Sequence, residues 1–183
     1  MQTEILIAGF GGQGVLFAGQ VLAYAAMDNG KVVTWIPSYG PEIRGGTANC
    51  TVIISDEEIG SPLVRHPAAA IVLNLPSLDK YEPLVAPGGV LIANASLINR
   101  GPSRDDITSI FLPAQEIAEA LGNRRLLNMV ALGALLACLP VLPVEAIGQA
   151  LSDHLPERHK KLLPVNFSAL RQGAEYAVKV ISP

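Results

Sequence analysis

Charged side chains are scarce in this chain: Asp, Glu, Lys and Arg make up 16% of its 183 residues, and the formal net charge is −3. Soluble domains usually carry nearer to a quarter of charged residues. The longest basic stretch is "RHKK" at positions 158–161. Because a nucleic-acid-binding protein needs a basic surface to neutralise phosphates, we expect no nucleic-acid partner.

Long apolar runs are also missing, although 50% of the residues are hydrophobic. The longest, "LLNMVALGALLACLPVL", contains Asn128 and meets Pro140 before the roughly 18–20 residues that a membrane span needs. We therefore expect no membrane span, and we interpret the apolar excess as surface that is buried against protein partners.

Cysteine and histidine are too few and too scattered for a metal centre. Cys50 and Cys138 form no CxxC pair, so they cannot ligate an iron–sulfur cluster alone and are interpreted as buried thiols of a cytosolic protein. His66, His154 and His159 lie outside the glycine-rich segments, and no serine or cysteine has the surroundings of a nucleophile. We expect neither catalytic residues nor metal ligands in this chain.

What the chain does have is a regular alternation of strand and helix patterns. Buried strands are predicted at "EILIAG", "KVVTWI", "TANCTVIIS", "AAIVLNL", "GVLIANA" and "ITSIFLP", and the segment that starts at Pro37 is predicted to break regular structure. Helical spacing follows the first glycine loop and dominates the C-terminal third. This pattern predicts a Rossmann-like α/β fold over residues 1–183, a single domain with a mostly parallel sheet and helices on both faces.

The first glycine-rich segment is "AGFGGQGV", where Gly9, Gly11 and Gly14 match G-x-G-x-x-G. Glycines permit a left-handed turn and let the backbone approach a phosphate at a helix start. A dinucleotide site would also need an acid after the second strand, where Pro37-Ser38 stands. Three interpretations remain: a dinucleotide site, close helix–strand packing, and a contact to another anionic ligand.

The second glycine-rich segment is "SYGPEIRGGTANC", in which Arg44 precedes a glycine pair. Since the first and second strands of a doubly wound sheet end at one edge, both segments are expected to share a crevice. There Arg44 could bind a phosphate or carboxylate with two charge-assisted hydrogen bonds, or it could pair with Glu42 and brace the loop.

Together these segments resemble the gamma subunit of 2-oxoacid:ferredoxin oxidoreductases. The resemblance runs in order through "AGFGGQGV", "SYGPEIRGGTANCTVIISDEEIGSP" and "LNLPSLDKYEPLVAPGGVLIANASLI", and more loosely through "NMVALGALLA". It covers nearly the whole chain. In this family the free-standing gamma subunit is one domain of about this length, elsewhere fused to a larger alpha chain.

The resemblance implies an activity that several subunits share. The family's enzymes decarboxylate a 2-oxoacid oxidatively, join the acyl group to coenzyme A and pass two electrons to ferredoxin. The resemblance implies that alpha, beta and delta partner subunits hold thiamine diphosphate, magnesium and the iron–sulfur clusters. This chain agrees with that division, since it has neither a cysteine cluster nor a "GDG…N" pattern. It would be an inactive cytoplasmic subunit by itself, serving assembly and coenzyme A contact.

Matching the family's segments residue by residue, the resemblance implies ten ligand-contact candidates: Gly11, Gly12, Gln13, Gly14, Ser38, Tyr39, Arg44, Gly45, Gly46 and Thr47. The segment before "RGG" favours 2-oxoglutarate over pyruvate or a branched-chain oxoacid. Two other functions stay open: a stand-alone Rossmann-like nucleotide-binding enzyme, and an architectural lid whose loops touch only protein.

Overall fold

A computed structural model of the chain describes residues 1–39 and 47–182. Within them lie six strands, six helices and three short 3-10 turns. The strands are β1 (Gln2–Phe10), β2 (Val32–Tyr39), β3 (Thr47–Ser55), β4 (Ala69–Val72), β5 (Val90–Asn94) and β6 (Thr108–Leu112). The helices are α1 (Val15–Asp28), α2 (Leu75–Tyr81), α3 (Ala114–Ala120), α4 (Leu127–Cys138), α5 (Val144–His154) and α6 (Leu163–Ile181).

The six strands form one sheet in the order β2-β3-β1-β4-β5-β6. β1, β4, β5 and β6 are parallel to one another, whereas β3 is antiparallel to both β1 and β2. β4 and β5 are buried along their whole length, which explains their unbroken apolar sequences. The expected α/β fold with a mostly parallel sheet is confirmed.

Helices cover both faces of the sheet, as expected, but unequally. One face, which we call the major face, carries the large core in which α1, α4, α5 and α6 pack against residues such as Ile7 and Ile92. On the minor face, α2 packs through Leu78 against Leu6 and Leu91. Alternate residues of one strand therefore belong to different cores, as the two-residue period of a strand requires.

Helix α4 lies at the centre of the major face, and ten of its twelve residues are buried. A Cβ atom at Gly133 would overlap the backbone of Leu170 in α6, and one at Gly173 would overlap the backbone of Val130 in α4. The two helices therefore cross at backbone contact. A helix enclosed in this way must be apolar all round, which accounts for its lack of a polar stripe.

One expectation about the second strand is wrong. Regular structure was expected to break at Pro37, but β2 continues through Pro37, which pairs with Cys50, and ends at Tyr39. The proline is tolerated because β2 is an edge strand, where one row of backbone groups has no neighbouring strand to bond. Among the described residues, no helix combines the length and the apolar composition that crossing a membrane would require.

Candidate ligand site at the carboxyl edge of the sheet

The connections that follow β1 and β4 leave the sheet on opposite faces. After β1 the chain enters α1 on the major face, and after β4 it enters α2 on the minor face. Since β1 and β4 are neighbours, their carboxyl ends form the switch point at which α/β sheets open a crevice for ligands. The first glycine-rich segment, residues 9–14, lies at this point.

Gln13 holds the glycine loop in shape. Its Oε1 accepts a hydrogen bond from the backbone N–H of Phe10 at 2.6 Å, and its Nε2 donates to the Leu73 carbonyl at 3.2 Å. The same carbonyl accepts a hydrogen bond from Asn94 Nδ2 at 3.3 Å, so the ends of β1, β4 and β5 are linked. Both polar ends of Gln13 are engaged within the fold, and its expected ligand contact stays a prediction.

The glycines of the loop have different environments. Gly14 has a φ of 75°, and a Cβ there would lie 2.9 Å from Cγ of Asn128, whose Nδ2 donates to the Gly14 carbonyl at 3.1 Å. Gly12 has a φ of 93°, yet a Cβ there would find no atom within 4 Å. Close packing against helix α4 therefore accounts for Gly14, whereas Gly12 borders open space.

That space is a cavity of about 540 Å³ beside the loop, which we call the edge cavity. Its walls come from the glycine loop, from the segment after β5, from α3 and from the start of α4. They are formed by Phe10, Gly11, Gly12, Gln13, Leu97, Gln115, Asn123, Arg124, Arg125 and Leu127.

Among the described residues on the walls of the edge cavity, Arg124 and Arg125 are the only ones that carry a full charge. Both side chains are exposed, and within residues 1–39 and 47–182 neither guanidinium makes an ion pair or a hydrogen bond. Asn123 accepts a hydrogen bond from the backbone N–H of Arg125 at 3.1 Å and so fixes the turn that carries both arginines. A cavity with two arginines that no described side chain neutralises, beside an open glycine backbone, suits an anionic ligand.

Sequence reasoning missed both arginines. They lie more than 100 residues from the glycine loop, and adjacent arginines before a helix are typical of a solvated surface. The available signal was their position shortly after α3, which ends at Ala120, on the connection that follows the last parallel strand.

A buried carboxylate anchors the segment between β5 and β6 that contributes Leu97. Glu82 is fully buried, accepts a hydrogen bond from Ser103 N at 2.6 Å and forms an ion pair with Arg100 at 2.9 Å. Burial alone would raise the pKa of Glu82, but these hydrogen bonds outweigh it, and the pKa lies below its usual value. The carboxylate is therefore ionised at neutral pH and fixes one wall of the edge cavity.

The second glycine-rich segment is described only at its ends. In the register of the sheet, Phe10 is opposite Thr47, and Ser38 is opposite Asn49. This confirms that the flanks of both segments lie at one edge. Tyr39 ends β2, and both Ser38 and Thr47 are exposed. Glu42, Arg44, Gly45 and Gly46 lie outside the described residues, so their ligand role stays a prediction.

Neither cysteine belongs to the edge cavity. Cys50 is buried behind α1, donates to the Val15 carbonyl at 3.6 Å, and burial raises the pKa of its thiol to about 11. Cys138 is half-buried, and burial raises its pKa as well. In the part of the chain that the structure describes, no three His, Cys, Asp or Glu side chains come together in a way that could hold a metal ion.

The chain belongs to the pyruvate ferredoxin/flavodoxin oxidoreductase family, whose model matches residues 4–176. The ketoisovalerate oxidoreductase subunit VorA of Methanothermobacter thermautotrophicus is 40% identical over 177 residues, which cover 96% of this chain and 36% of that protein. The 2-oxoglutarate synthase subunit KorC of Methanocaldococcus jannaschii is 34% identical over 180 residues, with 97% of this chain and 95% of that protein covered. The chain thus spans about a third of the length of the ketoisovalerate relative and nearly all of KorC.

Solved structures agree with this assignment. The gamma subunit of keto/oxoacid ferredoxin oxidoreductase from Geobacter sulfurreducens superposes with a TM-score of 0.82 at 32% identity, covering 97% of this chain and 99% of that one. A 2-oxoglutarate:ferredoxin oxidoreductase from Magnetococcus marinus shares the fold with a TM-score of 0.87 at 23% identity, covering 97% of this chain and 31% of that one. The resemblance to gamma subunits is confirmed. The relatives' names differ in their 2-oxoacid, so the preference for 2-oxoglutarate stays a prediction.

Proposed function

We propose that residues 1–183 form the gamma-type domain of a cytoplasmic 2-oxoacid:ferredoxin oxidoreductase, and that the edge cavity is its contact surface for coenzyme A. One observation carries the proposal: Gly12, whose Cβ position is open, lines the same cavity as Arg124 and Arg125. Coenzyme A carries several phosphates, and these arginines supply the positive charge that a glycine backbone alone lacks.

The start of α1 supports the same assignment. Within residues 1–39 and 47–182, no side chain caps this helix, and its first turn contains no acidic residue. Its first N–H groups and partial positive charge are therefore available to an anion beside Gly12. The guanidinium groups add full charge and a planar geometry that matches phosphate oxygens.

The remaining chemistry belongs, in this proposal, to partner subunits of the alpha, beta and delta type. They would hold thiamine diphosphate, magnesium and the iron–sulfur clusters, and ferredoxin would accept the electrons. Support comes from relatives that are named as subunits and from the Magnetococcus structure, which is described as containing 2-oxoglutarate, coenzyme A and succinyl-CoA. The part of this chain is to bind and orient coenzyme A and to assemble with the subunits that react with it.

The test is the KM for coenzyme A in the reconstituted complex. A charge-assisted contact contributes roughly 1.5–3 kcal/mol, so Arg125→Ala should raise this KM by about 10- to 150-fold, and Arg124→Ala should raise it as well. Reduction of an artificial acceptor by the 2-oxoacid alone needs no coenzyme A and should be largely spared. Arg65→Ala is the control, because Arg65 is exposed and precedes β4, whose amino end lies at the opposite edge.

Arg44 enters the same assay as a separate arm. If it binds phosphate, Arg44→Ala raises the KM for coenzyme A and Arg44→Lys restores part of the affinity. If it braces the loop through Glu42, then Glu42→Ala and Arg44→Ala instead cause similar losses of assembly. Unchanged KM values in all three arginine variants, with assembly intact, would refute a coenzyme A contact here.

An architectural lid is the second candidate, and the contacts of two glycines favour it. A Cβ at Gly9 would lie 2.6 Å from Gln13 Oε1 and 3.0 Å from Leu73 Cβ, and Gly14 packs on Asn128, so both are required by the fold without a ligand. If the chain is a lid, the arginine variants should impair assembly of the complex and leave its affinity for coenzyme A unchanged. The stand-alone enzyme predicts turnover or a co-purified dinucleotide from the chain alone, whereas a subunit should be colourless and inactive.

The 2-oxoacid itself is best identified on the complex. We propose 2-oxoglutarate, and kcat/KM measured in parallel for 2-oxoglutarate, pyruvate and ketoisovalerate decides among the three. A preference for ketoisovalerate would agree with the VorA relative and contradict the proposal.

A further inference from the structure

A second cavity lies beside the edge cavity, towards the helical layer of the major face. It has a volume of about 390 Å³, and we call it the ring cavity. Its walls come from the glycine loop, the first turn of α1, the start of α4 and the connection from α5 to α6. They are formed by Gly12, Gly14, Phe17, Asn123, Arg125, Leu126, Asn128, Leu155, His159, Leu162 and Asn166.

The walls of the ring cavity are chiefly apolar. Phe17 stands in the first turn of α1 with 36% of its surface exposed, and Leu155 and Leu162 approach from the α5–α6 connection. The three asparagines on the walls each make a hydrogen bond within the fold. Asn128 Nδ2 donates to the Gly14 carbonyl at 3.1 Å, Asn166 Nδ2 donates to the Leu162 carbonyl at 2.7 Å, and Asn123 Oδ1 accepts from Arg125 N at 3.1 Å. An exposed phenylalanine between leucines suits a flat, weakly polar ring better than a charged group.

The two cavities share Gly12, Asn123 and Arg125. At the shared wall the Cβ position of Gly12 is open, and the Arg125 guanidinium makes no hydrogen bond to any described residue. Each cavity separately lies within the roughly 300–1,000 Å³ that is common for small-molecule sites. A ligand that is apolar at one end, anionic in the middle and extended at the other end would fit both.

We propose that the two cavities form one elongated site, in which the ring cavity holds the adenine ring of coenzyme A against Phe17. The phosphates then lie between Gly12 and Arg125, and the pantetheine arm passes through the edge cavity beside Leu97. This inference rests on the proposed coenzyme A function and adds the orientation of the ligand. Phe17 thereby becomes a specificity residue for the nucleotide end.

The test uses the reconstituted complex with two fragments of coenzyme A as competitive inhibitors. Adenosine 3′,5′-bisphosphate contains the ring and phosphates, and pantetheine contains only the arm. Stacking of a base on an aromatic side chain predicts that Phe17→Ala raises the inhibition constant of the bisphosphate by about 5- to 150-fold. The inhibition constant of pantetheine should stay unchanged.

Two further variants guard against a folding artefact. Phe17→Leu keeps apolar volume but removes the ring, so it should raise the inhibition constant of the bisphosphate. Phe17→Tyr keeps a ring and should retain most of the affinity for the bisphosphate. Met27→Ala is the matched control, because Met27 is 57% exposed in the last turn of the same helix and lines neither cavity. Assembly of every variant is checked by gel filtration.

The outcomes separate this inference from the proposed function. Suppose that Arg125→Ala weakens the binding of coenzyme A, while Phe17→Ala and Phe17→Leu leave the inhibition constant of the bisphosphate unchanged. The ring subsite is then wrong and the coenzyme A contact stands. If the Phe17 variants instead weaken the binding of pantetheine, the ligand lies in the opposite direction and the proposed orientation is overturned. If neither Phe17 nor Arg125 affects any of these ligands, both proposals fail.

Discussion

Gly14→Ala offers the sharpest test of how the glycine loop is built. The change places a Cβ at a φ of 75°, which costs an L-residue roughly 1–2 kcal/mol. The Cβ would also lie 2.9 Å from Asn128 Cγ, so Asn128 must move and lose its hydrogen bond to the Gly14 carbonyl. Loss of a buried hydrogen bond adds roughly 1–3 kcal/mol. The expected decrease in the free energy of unfolding is therefore about 2–5 kcal/mol.

Gly12→Ala is the matched control, because its φ of 93° carries a similar strain while no atom lies within 4 Å of its Cβ position. Gly12→Ala should lower the free energy of unfolding only by the backbone strain, about 1–2 kcal/mol. Urea unfolding of the variants, monitored by circular dichroism, gives both values from the shift in midpoint at constant slope. Gly12 lines both cavities and its Cβ position is open, so if coenzyme A binds there as proposed, its affinity should fall in Gly12→Val even where the fold survives.

A double-mutant cycle isolates the contact itself. In an Asn128→Ala background the side chain that meets the new Cβ is gone, so Gly14→Ala should cost only the backbone strain. The coupling between the two changes is expected to be about 1–3 kcal/mol. A Gly14→Ala cost equal to that of Gly12→Ala, or additive effects in the cycle, would refute the packing role assigned to Gly14.

Three further outcomes are expected. Glu82→Gln should lower the urea midpoint at pH 7 and have a smaller effect near pH 3, because the lowered pKa of Glu82 gives stability that is present above about pH 4 and lost as the pH falls through the folded value. Iodoacetamide should label Cys50 only after denaturation, since burial raises its pKa to about 11; rapid labelling in the native state would contradict this. Gly133→Ala should cost several kcal/mol in the unfolding assay, because its Cβ would overlap the Leu170 backbone, whereas exposed Gly101→Ala should be nearly neutral.

Local patterns were sufficient to predict most of the fold. Apolar runs such as "AAIVLNL" and "GVLIANA" belong to strands buried on both faces, and the largely apolar helix α4 is enclosed by α6 and the sheet. The pairing of β3 between β1 and β2 could not be predicted, because strand order depends on contacts that are remote in sequence. Pro37 was misjudged for the same reason, since its tolerance depends on β2 being at the edge.

The candidate site was only half predictable. The glycine loop is a local signal, and the sequence places it correctly at a strand–helix junction. Arg124 and Arg125 reach the loop only because β6 and α3 return the chain to the same edge of the sheet. Gln13 shows the opposite difficulty: its position inside the motif suggested a ligand contact, while its side chain links Phe10 to Leu73.

Neutral amides and full charges have separate tasks at this edge. Gln13, Asn94 and Asn128 hold the loop through hydrogen bonds to backbone groups, and a buried amide is tolerated when it is bonded in this way. Amides do not titrate, so the loop geometry that they fix does not depend on pH. The charges, Arg124 and Arg125, lie on the exposed side of the cavity. The shape of the site and its proposed preference for anions therefore rest on different residues, and substitutions should change one without the other.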